Sequence, residues 1–150
     1  SQNGYWKAAA FANGVNNPTE SWLVSTEIDL SGATAPSLSF DAAINYLNGN
    51  NRADFIEVKI STDYVDNVKS ATWATLNAAW SEGKSWTFVN SGAIDLKDYV
   101  GKKARLAFVY KSTSACAPTV EIKNVSVSDL RLVIMLMFIC IRKFLKMKWK

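Results

Sequence analysis

Histidine is absent from this sequence of 150 residues, and that absence excludes several classes of chemistry. Imidazole is the general base of Ser-His-Asp and Cys-His nucleophile systems, and it binds the metal in many zinc and haem sites. None of these arrangements can be built from this chain.

Cysteine, proline and glycine are also scarce. The chain has two Cys, three Pro and seven Gly, which excludes a disulfide scaffold and a collagen-like chain. Cys116 lies in a predicted loop and Cys140 near the C-terminus. We expect two free thiols, and a bridge between them is left open. With 49% hydrophobic and 20% charged residues, the composition is typical of one globular domain.

No hydrophobic run is long enough to span a bilayer as a helix. The main apolar segment, residues 132–141, has ten residues, whereas a transmembrane helix needs about 20. We therefore predict no transmembrane helix. Residue 1 is Ser rather than Met, so we expect a fragment of a longer precursor that carries other domains.

The net charge of +4 divides unevenly along the chain. Residues 131–150 carry six Lys and Arg and no acid, so residues 1–130 carry the other 11 against all 13 Asp and Glu, a net charge of −2. A basic protein often binds nucleic acid, but here the body is slightly acidic. We therefore expect no nucleic-acid partner, and we divide the chain into a domain at 1–130 and a basic apolar tail at 131–150.

Three explanations of the tail remain open. It could touch a membrane surface as an interfacial anchor with Lys and Arg flanks. It could instead form a strand or helix that packs on the body. Finally, its shift to Met, Ile, Phe, Leu and Lys is what a frameshift or read-through outside the natural domain would produce.

Alternating hydrophobicity in the body predicts strands. Residues 38–46, 56–60 and 104–110 place apolar side chains at every second position, which is the period of a half-buried strand. Within residues 119–127 the apolar side chains change from even-numbered to odd-numbered positions. We therefore expect a bulge or kink near Asn124.

Shorter apolar pieces add to the strand pattern. We predict strands at Trp22–Val24 and Trp86–Val89, and a long polar connection between strands over residues 62–85. No body segment of useful length has helical periodicity. The sequence therefore predicts an all-β fold, an antiparallel β-sandwich.

Five segments in order carry a family resemblance. They read SWLVSTEIDLSGATAPSLSFDAA, FIEVKISTDY, ATWATL, WTFVNSGAIDLKDYVGKKARLAFVYKS and EIKNVSV. Over roughly residues 6–127 the chain resembles the choice-of-anchor J domain family of bacterial surface proteins. That family is related to cleaved-adhesin domains and to MAM-like jelly rolls.

The resemblance implies a jelly-roll sandwich at the cell surface, outer-membrane-anchored or secreted, often within a multidomain lipoprotein. It implies adhesion or glycan binding and brings no catalytic residues. The chain departs from the family in lacking the first strand before residues 5–7 and in adding the tail. One hypothesis is that residues 132–141 fill the sheet edge left by that strand.

The carboxylates are candidates for an acid/base pair and for metal ligands. None forms a recognisable glycosidase pair, and several lie in turns where Asp caps the backbone. Jelly rolls of this kind often hold a structural calcium with oxygen ligands. The plausible donors are Asp41, Asp54, Asp63 and Glu121, and the alternative is that all four lie on solvated faces.

The aromatic side chains are the remaining candidates. We expect most to form the core, among them Trp22, Phe40, Trp86 and Phe108. Trp80 and Tyr46 lie in loop-like contexts where they could stack on sugar rings. The predicted ligand-binding set is Trp80, Tyr46, Asn48, Asn51 and Arg52.

The sequence favours a noncatalytic adhesion or carbohydrate-binding module of the bacterial surface. Its partner would be a glycan or a protein on a host or other cell surface. The alternatives are a structural spacer in a surface lipoprotein and, less favoured, an accessory domain of a glycan-degrading or proteolytic enzyme.

Overall fold

The computed structural model describes residues 4–129, and the regular structure of this region is almost entirely antiparallel strand. In chain order the strands are β1 (Trp6–Ala8), β2 (Phe11–Ala12), β3 (Val15–Asn16), β4 (Thr19–Val24), β5 (Ile28–Asp29), β6 (Pro36–Asn45), β7 (Ile56–Ser61), β8 (Ala74–Thr75), β9 (Val89–Asn90), β10 (Ile94–Asp95), β11 (Lys103–Ser112) and β12 (Thr119–Asp129). Two single-turn 3₁₀ helices, Arg52–Asp54 and Lys97–Tyr99, precede β7 and β11.

The long strands form two sheets, and every pairing is antiparallel. In the first sheet β12 lies between β1 and β6, and the other side of β6 pairs with β9 and β10. In the second sheet β11 lies between β7 and the β4–β5 side, and β8 extends the sheet beyond β7. A separate hairpin joins β2 to β3. The predicted antiparallel β-sandwich is confirmed.

The core lies between β6 and β12 on one side and β7 and β11 on the other. Its rows are the alternating apolar positions of these strands, and the buried members include Leu38, Phe40, Ile44, Val58, Ile60, Leu106, Phe108, Val120 and Ile122. Phe40 and Phe108 meet edge-to-face across the sandwich, with ring centroids 4.9 Å apart. Complete burial of each such side chain stabilises the fold by about 1.5–3 kcal/mol.

The expected bulge in the last strand is also confirmed. The pairing of β12 with β6 shifts between Lys123 and Ser126, and Asn124 adopts a φ of 53°. Asparagine tolerates this left-handed conformation better than most residues. The bulge allows Val120 and Ile122 to face the core ahead of it and Val127 to pack against the core beyond it.

Buried serines bind an irregular segment to β6 where the strand ladder is incomplete. The N–H of Phe40 donates to Ser91 Oγ at 3.0 Å, and the N–H of Ile44 donates to Ser81 Oγ at 2.8 Å. Both serines are buried. Because a buried N–H without a partner is costly, these hydroxyls hold segment 81–91 against the sheet.

Two aromatic side chains expected in the core lie elsewhere. Trp22 is half-buried on the outer face of the second sheet, where its ring packs 5.3 Å from that of Trp73. Trp86 is exposed, because the predicted strand at Trp86–Val89 is reduced to β9 and Trp86 precedes it in a loop. The core assignment was correct for Phe40 and Phe108.

The basic tail and the strand hypothesis for residues 132–141 lie outside the described residues. Within residues 4–129, no helix has the length and apolar character that crossing a bilayer requires.

Candidate functional site

The outer face of the first sheet carries the main exposed aromatic surface. The strand register places Lys7 of β1, Glu121 of β12 and Ala43 of β6 side by side, and alternation directs all three away from the core. Above this row lie the rings of Tyr46 and Trp86, which we call the aromatic corner.

Tyr46 forms one side of the aromatic corner, directly after β6. Its side chain is 53% exposed, and its φ is +66°. A bulky residue in this left-handed region destabilises the fold by about 1–3 kcal/mol, and the conformation persists only where the surrounding structure imposes it. Here the N–H of Tyr46 donates to Asn45 Oδ1 at 2.9 Å, and Asn48 and Gly49 follow with positive φ as well. The chain therefore keeps an exposed ring in an unfavourable backbone conformation.

Trp86 forms the other side. It is 44% exposed, and its ring centroid lies 5.8 Å from that of Tyr46 with an interplanar angle of 79°. The ammonium of Lys7 lies 5.7 Å from the Trp86 ring centroid and 3.9 Å from Glu121 Oε1. Glu121 is only 7% exposed, so Lys7 supports the ring and offsets a largely buried charge at the same time.

The loop that carries Trp86 is anchored at several points. Ser81 holds its start to β6, and the N–H of Leu47 donates to the Gly83 carbonyl oxygen at 3.3 Å. Leu47 is buried and directly follows Tyr46. The two loops that carry the aromatic corner are thus joined to each other beneath it.

The same surface continues from Trp86 toward Phe88. The Phe88 ring lies 3.8 Å from Lys123 Nζ and 6.3 Å from the Tyr5 ring centroid. Beside it, Asp41 accepts hydrogen bonds from Asn90 and Asn124. These two hydrogen bonds, aided by the charge of Lys123, hold the pKa of Asp41 below its usual value.

Only two of the five predicted ligand-binding residues lie together at this surface. Tyr46 belongs to the aromatic corner, and Asn48 is exposed two residues further along the same loop. The other three, Trp80, Asn51 and Arg52, support the fold.

The expectation that Trp80 forms an exposed platform was wrong. Trp80 is half-buried, and its ring packs 5.0 Å from that of Phe40 at the margin of the core. Arg52 covers the ring, with its guanidinium carbon 5.2 Å from the centroid, and donates from Nη1 to the Ile56 carbonyl oxygen at 2.7 Å. Asn51 caps the first 3₁₀ helix by accepting a hydrogen bond from the N–H of Ala53.

The four predicted calcium ligands do not converge on one point. Within residues 4–129, no three acidic or Cys side chains are grouped as a metal site would require. Asp41 is held by two asparagines, Asp63 by Ser61 and Thr72, and Glu121 by Lys7, while Asp54 lies exposed in the 3₁₀ turn. The described residues therefore do not fit a calcium ion at this set.

Sequence reasoning missed Trp86 because a tryptophan in an apolar tetrapeptide is typical of a core strand. It also missed Ser81 and Ser91, whose role depends on the packing of a distant segment against β6. Only the Asn/Gly-rich sequence around residue 48 signalled the position of this surface.

The exposed rings and their polar neighbours are of the kinds that contact a sugar in a protein site. The C–H face of a sugar packs on an aromatic ring as an apolar surface, while its hydroxyls bond to nearby amides and charged groups. Tyr46 and Trp86 present such rings, with Lys7, Asn45 and Asn48 nearby in the same loops and strands.

The sequence matches no protein-family model and no curated protein. Among solved structures, the chain is similar to the cleaved adhesin domain of Lys-gingipain from Porphyromonas gingivalis, with a TM-score of 0.52 and 14% identity over 82% of this chain and 72% of that one. A family 16 carbohydrate-binding module gives a TM-score of 0.46 and 13% identity over 86% of this chain and 89% of that one. At these identities the likeness concerns the fold alone, and the chain shares an antiparallel β-sandwich with the cleaved adhesin domain.

Proposed function

We propose that this domain is a noncatalytic glycan-binding module of a bacterial surface or secreted protein. The observation that supports it most directly is the aromatic corner, in which two large rings are about half exposed on the outer face of the first sheet. A ring retained only for packing would be expected to lie within the core, as Phe40 does.

The conformation of Tyr46 supports a functional rather than a structural role. Its positive φ opposes folding, yet the exposed ring contributes little to the core. Strained backbone at a bulky residue is characteristic of binding and catalytic sites, where the geometry of the side chain matters more than its stability. The hydrogen bond from the Tyr46 N–H to Asn45 Oδ1 and the link between Leu47 and Gly83 hold this geometry before any ligand binds.

The sequence resemblance supports the more specific part of the proposal. We assign the chain to the choice-of-anchor J family as a hypothesis, with a place at the bacterial surface and a role in adhesion. The ligand would then be a glycan on a polysaccharide or on a host or cell-surface protein. Detection of the protein on intact cells, and its loss after protease treatment of those cells, would test the location.

Affinity gel electrophoresis tests the binding function. The purified chain would be run through gels that contain neutral or acidic soluble polysaccharides, beside Trp86→Ala. A stacked pair of aromatic rings gains about 0.5–1.5 kcal/mol beyond the area that it buries. If a ring on a sugar gains a similar amount, removal of Trp86 should weaken retention by about twofold to tenfold.

Trp6→Ala is the matched control. Trp6 is 50% exposed, comparable to Trp86, but lies on β1 beside a small cavity of about 190 Å³ between the two sheets. Retention that drops for Trp86→Ala and persists for Trp6→Ala supports the proposal. Equal retention of all three proteins would contradict the assigned site, and no retention on any polysaccharide would favour the spacer function.

A further inference from the structure

A groove opens beside Tyr46 of the aromatic corner. It runs between the loop that follows β6 and the β2–β3 hairpin, and its volume is about 560 Å³. Sites for small ligands usually measure about 300–1,000 Å³. Tyr46 and Asn48 line both this groove and the depression over Asn45 and Lys84, so the two lie side by side.

The far wall of the groove presents a third aromatic ring. Phe11 of β2 is 60% exposed. The hairpin turns through Asn13 and Gly14, both with positive φ, as a tight two-residue turn requires. Asn17 closes its base by donating to the carbonyl oxygens of Ala10 and Val15. These hydrogen bonds fix the shape of the hairpin that carries Phe11.

The lining that joins Tyr46 to Phe11 includes polar groups with unused hydrogen-bonding capacity. Within residues 4–129, the Asn48 amide makes no side-chain hydrogen bond, and Asn16 donates only from Nδ2, to the Ser114 carbonyl oxygen at 3.3 Å. The charged residue of the lining, Lys7, is already paired with Glu121. The groove thus offers amides and aromatic faces without excess charge.

The angle between the rings narrows the class of ligand. Tyr46 and Trp86 stand at 79° and form a corner, so they cannot both lie flat against one planar surface. A crystalline polysaccharide, whose exposed chains form such a surface, would contact one ring at most. A single chain in solution can turn as it passes from one ring to the next.

We infer that the ligand is a soluble, uncharged polysaccharide chain that spans several sugar units, from the aromatic corner through the groove to Phe11. This inference rests on the proposed function and extends it. One unit lies at Tyr46 and Trp86, and the following units lie beside Asn48 and Asn16 and end against Phe11.

Isothermal titration with a length series tests this inference. The probes are neutral β-1,4-linked oligomers of glucose, xylose, mannose and galactose, from disaccharide to hexasaccharide. We expect affinity to rise with length for the sugar that binds. Phe11→Ala should lower hexasaccharide affinity by about twofold to tenfold, the value taken above for one stacked ring, and should lower disaccharide affinity by a smaller factor.

Val15→Ala is the matched control, because Val15 lies on the same hairpin and is similarly exposed but does not line the groove. Asn16→Ala provides a second groove variant, and thermal unfolding confirms that the hairpin variants fold. The inference is overturned if affinity stops rising at the disaccharide, if Phe11→Ala and Val15→Ala behave alike, or if crystalline cellulose or mannan is bound as tightly as the soluble chain.

The two proposals fail in different ways. If Trp86→Ala weakens binding while Phe11→Ala has no effect at any length, the glycan-binding function stands and the extended site is refuted. If the wild-type chain binds no oligomer of any length and no polysaccharide in the gels, the proposed function itself is refuted.

Discussion

Replacement of Gly83 by Ala tests how the two loops of the aromatic corner depend on each other. Gly83 is buried with a φ of +78°, and a Cβ built on it would lie 2.7 Å from both Cβ and Cγ of Leu47. Real Cβ atoms essentially never approach other atoms so closely. Because Leu47 is buried and directly follows Tyr46, it cannot move away without disturbing the corner.

Two contributions to the loss of stability can be separated. The left-handed backbone penalises any Cβ by about 1–2 kcal/mol, and insertion of a methyl group into packed surroundings costs about 1–3 kcal/mol more. Gly92 isolates the first contribution, because its φ of +72° is nearly the same while a Cβ there meets nothing within 4 Å. We expect Gly83→Ala to lower the free energy of unfolding by about 1–3 kcal/mol more than Gly92→Ala does.

Urea unfolding followed by tryptophan fluorescence measures both variants. The double variant Gly83→Ala/Leu47→Ala keeps the Cβ of residue 47 but removes the clashing Cγ and Cδ1, so its loss of stability should be smaller than the sum of the two single losses. If Gly83→Ala is no more destabilising than Gly92→Ala, the close packing of Leu47 against Gly83 is refuted, and with it the link between the two loops.

Three further outcomes are expected. Tyr46→Gly should be more stable than Tyr46→Ala by about 1 kcal/mol in thermal unfolding, because glycine alone accepts the positive φ freely; the opposite order would argue against strain there. Ser81→Ala should lower the free energy of unfolding by about 1–3 kcal/mol because it removes the partner of a buried N–H, and it should also weaken polysaccharide retention, whereas the exposed Ser85→Ala should do neither. Because the pKa of Asp41 is lower in the folded protein than its ordinary value of 3.8, its contribution to stability is complete at pH values above 3.8 and is lost as the pH falls through the folded-state pKa. Asp41→Asn should therefore flatten the acid limb of a stability–pH curve. An unchanged limb would contradict this.

Much of the sandwich could be predicted because its four long strands follow a local rule. In β6, β7, β11 and β12 every second side chain is apolar, and a two-sheet core requires that period. The bulge at Asn124 was predictable for the same reason, since a change of apolar parity within one strand needs an extra residue. The β2–β3 hairpin was not predicted, although Asn13 and Gly14 form a typical two-residue turn.

The candidate site was far less predictable. Trp80 lies within the polar connection and Trp86 directly follows it, and the sequence offers no measure of which ring lies under Arg52 and which lies on the surface. That outcome depends on Ser81 and Ser91, whose hydroxyls accept hydrogen bonds from β6 residues 37 and 51 positions away in the chain, respectively.

The sequence by itself determined the fold class, the absence of any histidine-dependent chemistry and the difference in charge between body and tail. These properties follow from composition and from the spacing of side chains along a strand, which are local. Only the tertiary structure decided that Tyr46 packs beside Trp86 and lines one groove with Phe11, and that the four proposed calcium ligands lie apart. Their positions depend on which segments cover the outer face of the first sheet, and such contacts between distant residues leave no pattern in the chain.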